Sequence, residues 1–363
     1  MGSTDERFMS RALELARSAP FTSPNPRVGA VVVRDGRILA EAAHLGAGSA
    51  HAEAAAIERA GDAAGATVYV TLEPCTHQGL TPPCAPALVE AGVARVVVAT
   101  LDPDARVSGT GARLLAAAGI EVATGALADE AERMNAPYLH QRRTGRAYLT
   151  LKLALTLDGR LGAPDGTSRW ITGRLAREHV HRRRLEADAV MVGSATVALD
   201  DPSLNVRSVE APRQPAAVIV DSSGATSPEA SVFREHAEII VATHPSVDHD
   251  RQVAWKEAGA EVLVLPAAPN GHGVDLAALL DELGRRGMLE VYCEGGARLA
   301  TRLLALDLVD RLELHHGAVL IGEGGPSIGD LGARSMDDAS RWKLSGSEVF
   351  GDDVVTTYLK AGS

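Results

Sequence analysis

Cysteine is scarce in this chain, three residues in 363. That is too few for a disulfide framework, and the count suits a reducing compartment. No apolar run reaches about 18 residues, which excludes a membrane-crossing helix. The N-terminus, Met1 to Arg7, lacks the basic-then-apolar order of a secretory signal. A cytoplasmic protein is the expectation. Positive charge is also in deficit, with 36 Lys and Arg against 47 Asp and Glu and a formal net charge of -11. No tail-like cluster of Lys and Arg offers a surface that follows phosphates, so nucleic acid is not expected as a partner. Nor does any G-x-G-x-x-G follow a strand pattern. Gly109-Thr110-Gly111 lacks the third glycine, so a Rossmann domain is not expected.

What is present has the balance of a globular protein, with 45% apolar and 23% charged residues. The length exceeds one ordinary core, which points to two domains. In the first half, helical spacing covers Phe8, Ala12, Leu15 and Ala19, and strand patterns cover Val28 to Val33, Ile38 to Ala43, Thr67 to Leu72, Arg95 to Thr100 and Ile120 to Thr124. Helices are expected over His51 to Ala60, Pro83 to Ala91, Gly111 to Ala118 and Ala126 to Gln141. The alternation predicts a mostly parallel sheet. The basic stretch Gln141 to Arg146 reads as a solvated linker, dividing the chain into domains 1–145 and 146–363. The second half restarts the alternation, with strands at Tyr148 to Leu157, Ala189 to Val192, Ala217 to Val220, Ile239 to Ala242, Val262 to Leu265 and Leu289 to Cys293. Its helices fall near Arg174 to Glu186, Leu276 to Arg285 and Arg298 to Leu306, and antiparallel strands at Leu312 to Leu314 and Val354 to Leu359 close the chain.

The chemistry concentrates in the first half. His51-Ala52-Glu53 opens a helix, Pro74-Cys75 follows a strand, and Cys84 starts a helix behind Pro82-Pro83. One imidazole and two thiolates give Zn2+ three ligands and leave the fourth position for water, as a catalytic site requires. Glu53, two residues from a ligand, reaches that water without binding the metal and is the expected proton carrier. His-x-Glu with Pro-Cys marks zinc nucleobase deaminases. The second cysteine here lies nine positions on rather than three. Cys293, on an apolar strand, reads as core.

Together these stretches resemble the bifunctional riboflavin-biosynthesis diaminohydroxyphosphoribosylaminopyrimidine deaminase / 5-amino-6-(5-phosphoribosylamino)uracil reductase family. The resemblance rests on Pro24-Asn25-Pro26-Arg27-Val28-Gly29, His51-Ala52-Glu53, and Thr71 to Gly79 running on to Thr81-Pro82-Pro83-Cys84. In the second half it rests on Lys152-Leu153, Leu157-Asp158-Gly159-Arg160, Ser168 to Thr172, Gly193 to Val197 with Asp200-Asp201-Pro202, and Glu294-Gly295-Gly296. It implies an α/β chain: a cytidine-deaminase-like α/β/α domain followed by a dihydrofolate-reductase-like α/β domain. The implied reactions are zinc-dependent deamination of 2,5-diamino-6-(5-phosphoribosylamino)pyrimidin-4(3H)-one, then NADPH reduction of its ribosyl to a ribityl chain.

By the same resemblance, NADPH would touch Ala154, Trp170, Thr196, Asp200, Ser222 and the helix start Gly296, Ala297, Arg298, Leu299, Ala300, Thr301 and Arg302. Substrate would touch Asn25, His44 and His77 in the first domain, and Lys152, Ser168, Arg184, Leu204, Arg207 and Glu294 in the second. Guanidinium forks at Arg184 and Arg207 suit a sugar phosphate. Three cations of the family's pattern are absent: Leu80, Thr110 and Val319 (in Ala318-Val319) occupy their places. Alongside the riboflavin role, this leaves open a paralogue acting on a modified or unphosphorylated pyrimidine. A nucleic-acid-editing deaminase, a reductase half that only dimerises, and a dead deaminase are the competing readings. A small-molecule substrate is expected, and a homo-oligomer stays open.

Overall fold

A computed structural model describes residues 3–19, 21–104, 107–268, 271 and 273–360. The chain divides into two compact units, Met1–Gly145 and Arg146–Ser363. No helix among the described residues is long and apolar enough to cross a membrane.

The first unit runs α1 (Ser3–Ser18), β1 (Gly29–Arg34), β2 (Arg37–Ala43), α2 (Ala52–Ala60), β3 (Thr67–Leu72), α3 (Cys84–Glu90), β4 (Arg95–Thr100), α4 (Thr110–Ala117), β5 (Glu121–Thr124), α5 (Ala128–Met134) and α6 (Ala136–Thr144). Its sheet has the order β2-β1-β3-β4-β5. The sheet is less parallel than the alternation suggests: β1 pairs antiparallel with both β2 and β3, and only β3-β4 and β4-β5 are parallel. The short Asp35-Gly36 turn, both residues at positive φ, allows β1 and β2 to form a hairpin. Phe8, Met9, Ala12 and Leu13 of α1 pack on Val31, Val33, Tyr69 and Val97 of the strands. Gly29 is needed there, because a Cβ would stand 2.0 Å from the Ala12 carbonyl oxygen.

Two local expectations are corrected. The single helix expected from Ala126 to Gln141 breaks at Asn135, which has φ -101 and ψ 17. Its side chain exchanges two hydrogen bonds with the backbone of Arg27, accepting at 2.9 Å and donating at 2.9 Å, and Pro137 opens the next helix. The basic stretch is not a linker through its length: Gln141 to Thr144 complete α6, and Gly145 caps it at φ 79. Arg146 is anchored in the second unit, on Asp310 at 2.6 Å.

The second unit runs β6 (Tyr148–Leu155), α7 (Arg174–Glu186), β7 (Ala189–Gly193), α8 (Ser194–Asp200), β8 (Ala216–Asp221), α9 (Ser231–Glu235), β9 (Ile239–Thr243), α10 (His249–Glu257), β10 (Glu261–Val264), α11 (Leu276–Arg285), β11 (Glu290–Cys293), α12 (Ala297–Ala305), β12 (Arg311–His316), β13 (Trp342–Phe350) and β14 (Asp353–Lys360). One nine-stranded sheet has the order β10-β9-β8-β7-β11-β6-β12-β14-β13. It is parallel from β10 to β12, then antiparallel through β14 and β13. Leu149, Leu151 and Leu153 of β6 and Val291 and Cys293 of β11 join Leu279, Leu283 and Leu303 in one core. Cys293 is fully buried there, an apolar packing residue. Helices α8, α9 and α10 and strand β13 are additional to the elements that the sequence pattern predicts. The first two are one or two turns long, and β13 carries Ser345, Gly346 and Ser347 where a strand pattern would show apolar alternation.

Candidate functional site

Three elements of the first unit converge on His51, Cys75 and Cys84. His51 precedes α2 in an extended conformation, Cys75 follows β3, and Cys84 is the first residue of α3, behind Pro83. Their ligand atoms all lie within 4.8 Å of one another. His51 Nδ1 is 3.2 Å from Cys84 Sγ and 3.5 Å from Cys75 Sγ, and the Cys84 N–H points at Cys75 Sγ from 3.4 Å. The hydrogen bond from Cys84 draws the Cys75 thiol down to about 4, while the same contact and burial push Cys84 far up. Two thiolates side by side need a bound dication, and this donor set fits zinc.

Glu53 lies on the second residue of α2 and is 4% exposed. Burial raises its carboxyl to about 6, the range in which a group both takes and gives a proton near neutrality. A cation on the neighbouring ligands draws it back toward the ionised form. A cavity of about 280 Å³ opens beside these groups, and Asn25, His44, His77 and Leu80 line it with His51, Glu53 and Cys75. Asn25 Nδ2 and His44 Nε2 are 3.0 Å apart, and His44 Nδ1 lies 3.1 Å from the Ala50 carbonyl oxygen. Burial lowers the His44 pKa, so that ring stays neutral at pH 7. Leu80 is 86% exposed at the rim. Thr110 turns its hydroxyl to Thr76 Oγ1 at 3.0 Å.

The cavity also contains residues that sequence reasoning missed. Asp102, Asp104, Tyr138 and Arg142 line its far side. The Tyr138 hydroxyl donates to Asp102 at 2.9 Å, and the Arg142 guanidinium stacks on the Tyr138 ring at 5.0 Å. Arg142 Nε is 3.8 Å from Asp104 Oδ2 and has no hydrogen-bond partner. The available signal was Tyr138 and Arg142 at helical i, i+4 spacing.

In the second unit, Thr196, Ser222, Glu294 and Gly296 follow the ends of parallel strands, while Lys152 and Ala154 lie on β6 and Arg184 on α7. Arg184 on α7 forms a two-point pair with Glu294 after β11, one contact through Nε and one from Nη2 at 3.0 Å. It also donates to the Asn205 carbonyl at 2.8 Å. Burial alone would raise Glu294, yet Arg184 and Lys152 hold it down to about 2. Burial lowers the pKa of Lys152. This arrangement spends the Arg184 fork on a carboxylate. Arg207 is exposed, held by Ser203 and Asn205 at 2.7 and 2.9 Å, beside buried Leu204. Ser168 Oγ reaches Asp200 at 3.5 Å, and exposed Trp170 is backed by Arg177 at 4.3 Å. Val319 is half-exposed, its carbonyl accepting from Leu157 N at 2.8 Å.

Gly296 caps α12 at φ 79, and a Cβ there would meet Thr196 Oγ1 at 2.7 Å, so bare backbone lines that helix start. Ser222 Oγ accepts from Val274 N at 3.0 Å, and Arg302 donates to the Val274 carbonyl at 2.7 Å. Ala154 pairs with His315 across β6 and β12. Along α12, Ala297 and Thr301 are partly open and Arg298 is exposed, whereas Leu299 and Ala300 face the core.

Comparison with known proteins follows this division. Residues 2–100 match the cytidine and deoxycytidylate deaminase zinc-binding region, and residues 147–356 match the RibD C-terminal domain. The chain is 39% identical over 376 residues to riboflavin biosynthesis protein RibD of Haemophilus influenzae, covering 99% of this chain and 98% of that one. It is 42% identical over 359 residues to RibD of Aquifex aeolicus, covering 98% of each. Among solved structures, RibD of Acinetobacter baumannii superposes with a TM-score of 0.87 at 36% identity over 99% of both chains. A diaminohydroxyphosphoribosylaminopyrimidine deaminase/5-amino-6-(5-phosphoribosylamino)uracil reductase of Thermotoga maritima gives 0.86 at 34% over 99% of both.

Proposed function

The chain belongs to the RibD family of bifunctional riboflavin-biosynthesis enzymes, with a deaminase domain followed by a reductase domain, and we propose which residues carry each activity. Zinc serves the first domain and NADPH the second. His51, Cys75 and Cys84 hold the zinc. The observation that carries this reading is their convergence, within 4.8 Å, beside a buried glutamate in a cavity.

Bound there, zinc supplies a Lewis acid that makes water nucleophilic near neutral pH. Glu53 would take one proton from the attacking water at its carboxylate and give it to the pyrimidine ring nitrogen, then take the second proton of that water from the added hydroxyl and give it to the departing amine. Asn25, His44 and His77 orient the base, and the enclosed walls limit bulk water around Glu53. In the second domain NADPH supplies the hydride. Thr196, Asp200, Ser222 and the start of α12 position it, while Lys152, Ser168, Leu204, Arg207 and the Arg184–Glu294 pair shape the substrate side. A cytoplasmic location fits this biosynthetic role and the three free cysteines.

The substrate phosphate is assigned to Arg142. It is the one Lys or Arg among the described residues lining the deaminase cavity, it is held flat by Tyr138, and its Nε still lacks a hydrogen-bond partner. Leu80 offers no charge at the rim. Arg142→Met is therefore expected to raise KM for the phosphorylated pyrimidine by roughly 10- to 100-fold, the worth of one charge-assisted contact, with kcat little changed. The dephosphorylated analogue should lose nothing. Equal effects on both compounds would remove Arg142 from phosphate recognition and favour the unphosphorylated substrate.

A further inference from the structure

Away from the residues assigned above, one face of the second unit's sheet carries buried charge. Glu290 of β11 and Arg311, Glu313 and His315 of β12 turn from the leucine core toward α7, where Arg183 donates to both glutamates, at 2.8 and 3.0 Å. Most of this network is paired. One corner is not. His315 is fully buried and neither of its ring nitrogens has a hydrogen-bond partner, and the same is true of Glu313 Oε2. Buried polar atoms without partners are rare because the desolvation they suffer goes uncompensated.

We propose that His179, Glu313 and His315 form a second metal site, for a divalent first-row ion of the zinc type, which ties helix α7 to strand β12. Their ligand atoms lie within 4.8 Å of one another. Arg183 Nε holds Glu313 Oε1 at 3.0 Å, which leaves Oε2 directed into the corner, 3.9 Å from His315 Nε2. Ligands about 2.0–2.2 Å from zinc stand roughly 3.4 Å apart, so side-chain adjustment closes the site without moving the backbone. Two imidazoles and one carboxylate suit zinc and its neighbours better than magnesium or calcium.

The surrounding charge favours a cation. Glu186, Glu290, Glu313 and Glu348 act on this corner against Arg183, Arg311 and Lys152, an excess of one negative charge that a bound cation offsets. The metal would fix the helix that presents Arg184 to Glu294.

The test is metal stoichiometry on the tag-free full chain, loaded with cobalt(II) and freed of excess by gel filtration. Thiolate ligands give cobalt an intense near-ultraviolet charge-transfer band, which a nitrogen and oxygen site lacks. Two equivalents per chain are expected. The Cys75→Ser, Cys84→Ser double variant should keep one equivalent and lose the band. His179→Gln, a conservative change at a half-buried position, should keep one equivalent together with the band. A single equivalent in the unaltered chain, or two persisting in His179→Gln, overturns the second site. Loss of the first site alone would instead count against the deaminase reading.

Discussion

Glu53→Gln is expected to lower deamination by roughly 10²- to 10⁴-fold, the usual worth of a positioned proton carrier, while zinc stays bound at one equivalent in the first domain. Glutamine has nearly the same shape, so the packing of α2 around this 4%-exposed side chain is retained. His51, Cys75 and Cys84 are untouched, and the metal loses no ligand. What disappears is a buried carboxyl beside the cluster, the group able to take and give a proton there. An amide cannot do this. Ammonia release at saturating substrate measures the loss, metal analysis checks retention, and NADPH oxidation with deaminated intermediate should continue. Undiminished ammonia release would refute the assigned proton carrier.

The second large effect is expected at Glu294. Removing it by Glu294→Ala leaves Arg184 as a buried, uncompensated charge, a change that typically costs about 3–5 kcal/mol. Urea or thermal unfolding should show that loss, and NADPH oxidation should fall with it. Arg184 is 8% exposed and its remaining bond, to the Asn205 carbonyl, cannot balance the charge. The pair also fixes a pH dependence. The Glu294 carboxyl sits at about 2 in the folded protein against an ordinary 4.5, so its stabilisation is fully present above pH 4.5. It fades as pH falls from 4.5 toward 2. Glu294→Ala should lose this acid-range slope. A variant as stable and as acid-sensitive as the parent would contradict the buried pair.

The clustering of His51, Cys75 and Cys84 was legible because each residue is placed by its own local element. His51 and Glu53 share one helix start, and Cys75 and Cys84 each flank a single element. Most strands were equally plain, since buried β-branched runs such as Val96 to Val98 admit few other readings. What stayed hidden depends on distant partners. Asn135 breaks a helix only because Arg27, 108 residues earlier, supplies backbone groups for its amide. Arg142 sat in a basic run that resembles solvated linker, and its place in the cavity follows from α6 carrying it over Tyr138. The charged layer under α7 was hidden for a related reason. Glu313 and His315 alternate with Leu312 and Leu314 as an exposed strand would, yet both polar side chains are buried against a helix from far earlier in the chain.

Whether one polypeptide performs both steps in order is the central claim, and coupled stoichiometry tests it most directly. The full chain, loaded with zinc and given 2,5-diamino-6-(5-phosphoribosylamino)pyrimidin-4(3H)-one and NADPH, is followed for ammonia and NADPH together. One NADPH should be consumed for each ammonia released, with the ammonia appearing first, and Glu53→Gln should suppress both unless deaminated intermediate is supplied. Ammonia released with NADPH untouched, or NADPH consumed before any ammonia appears, would contradict the account.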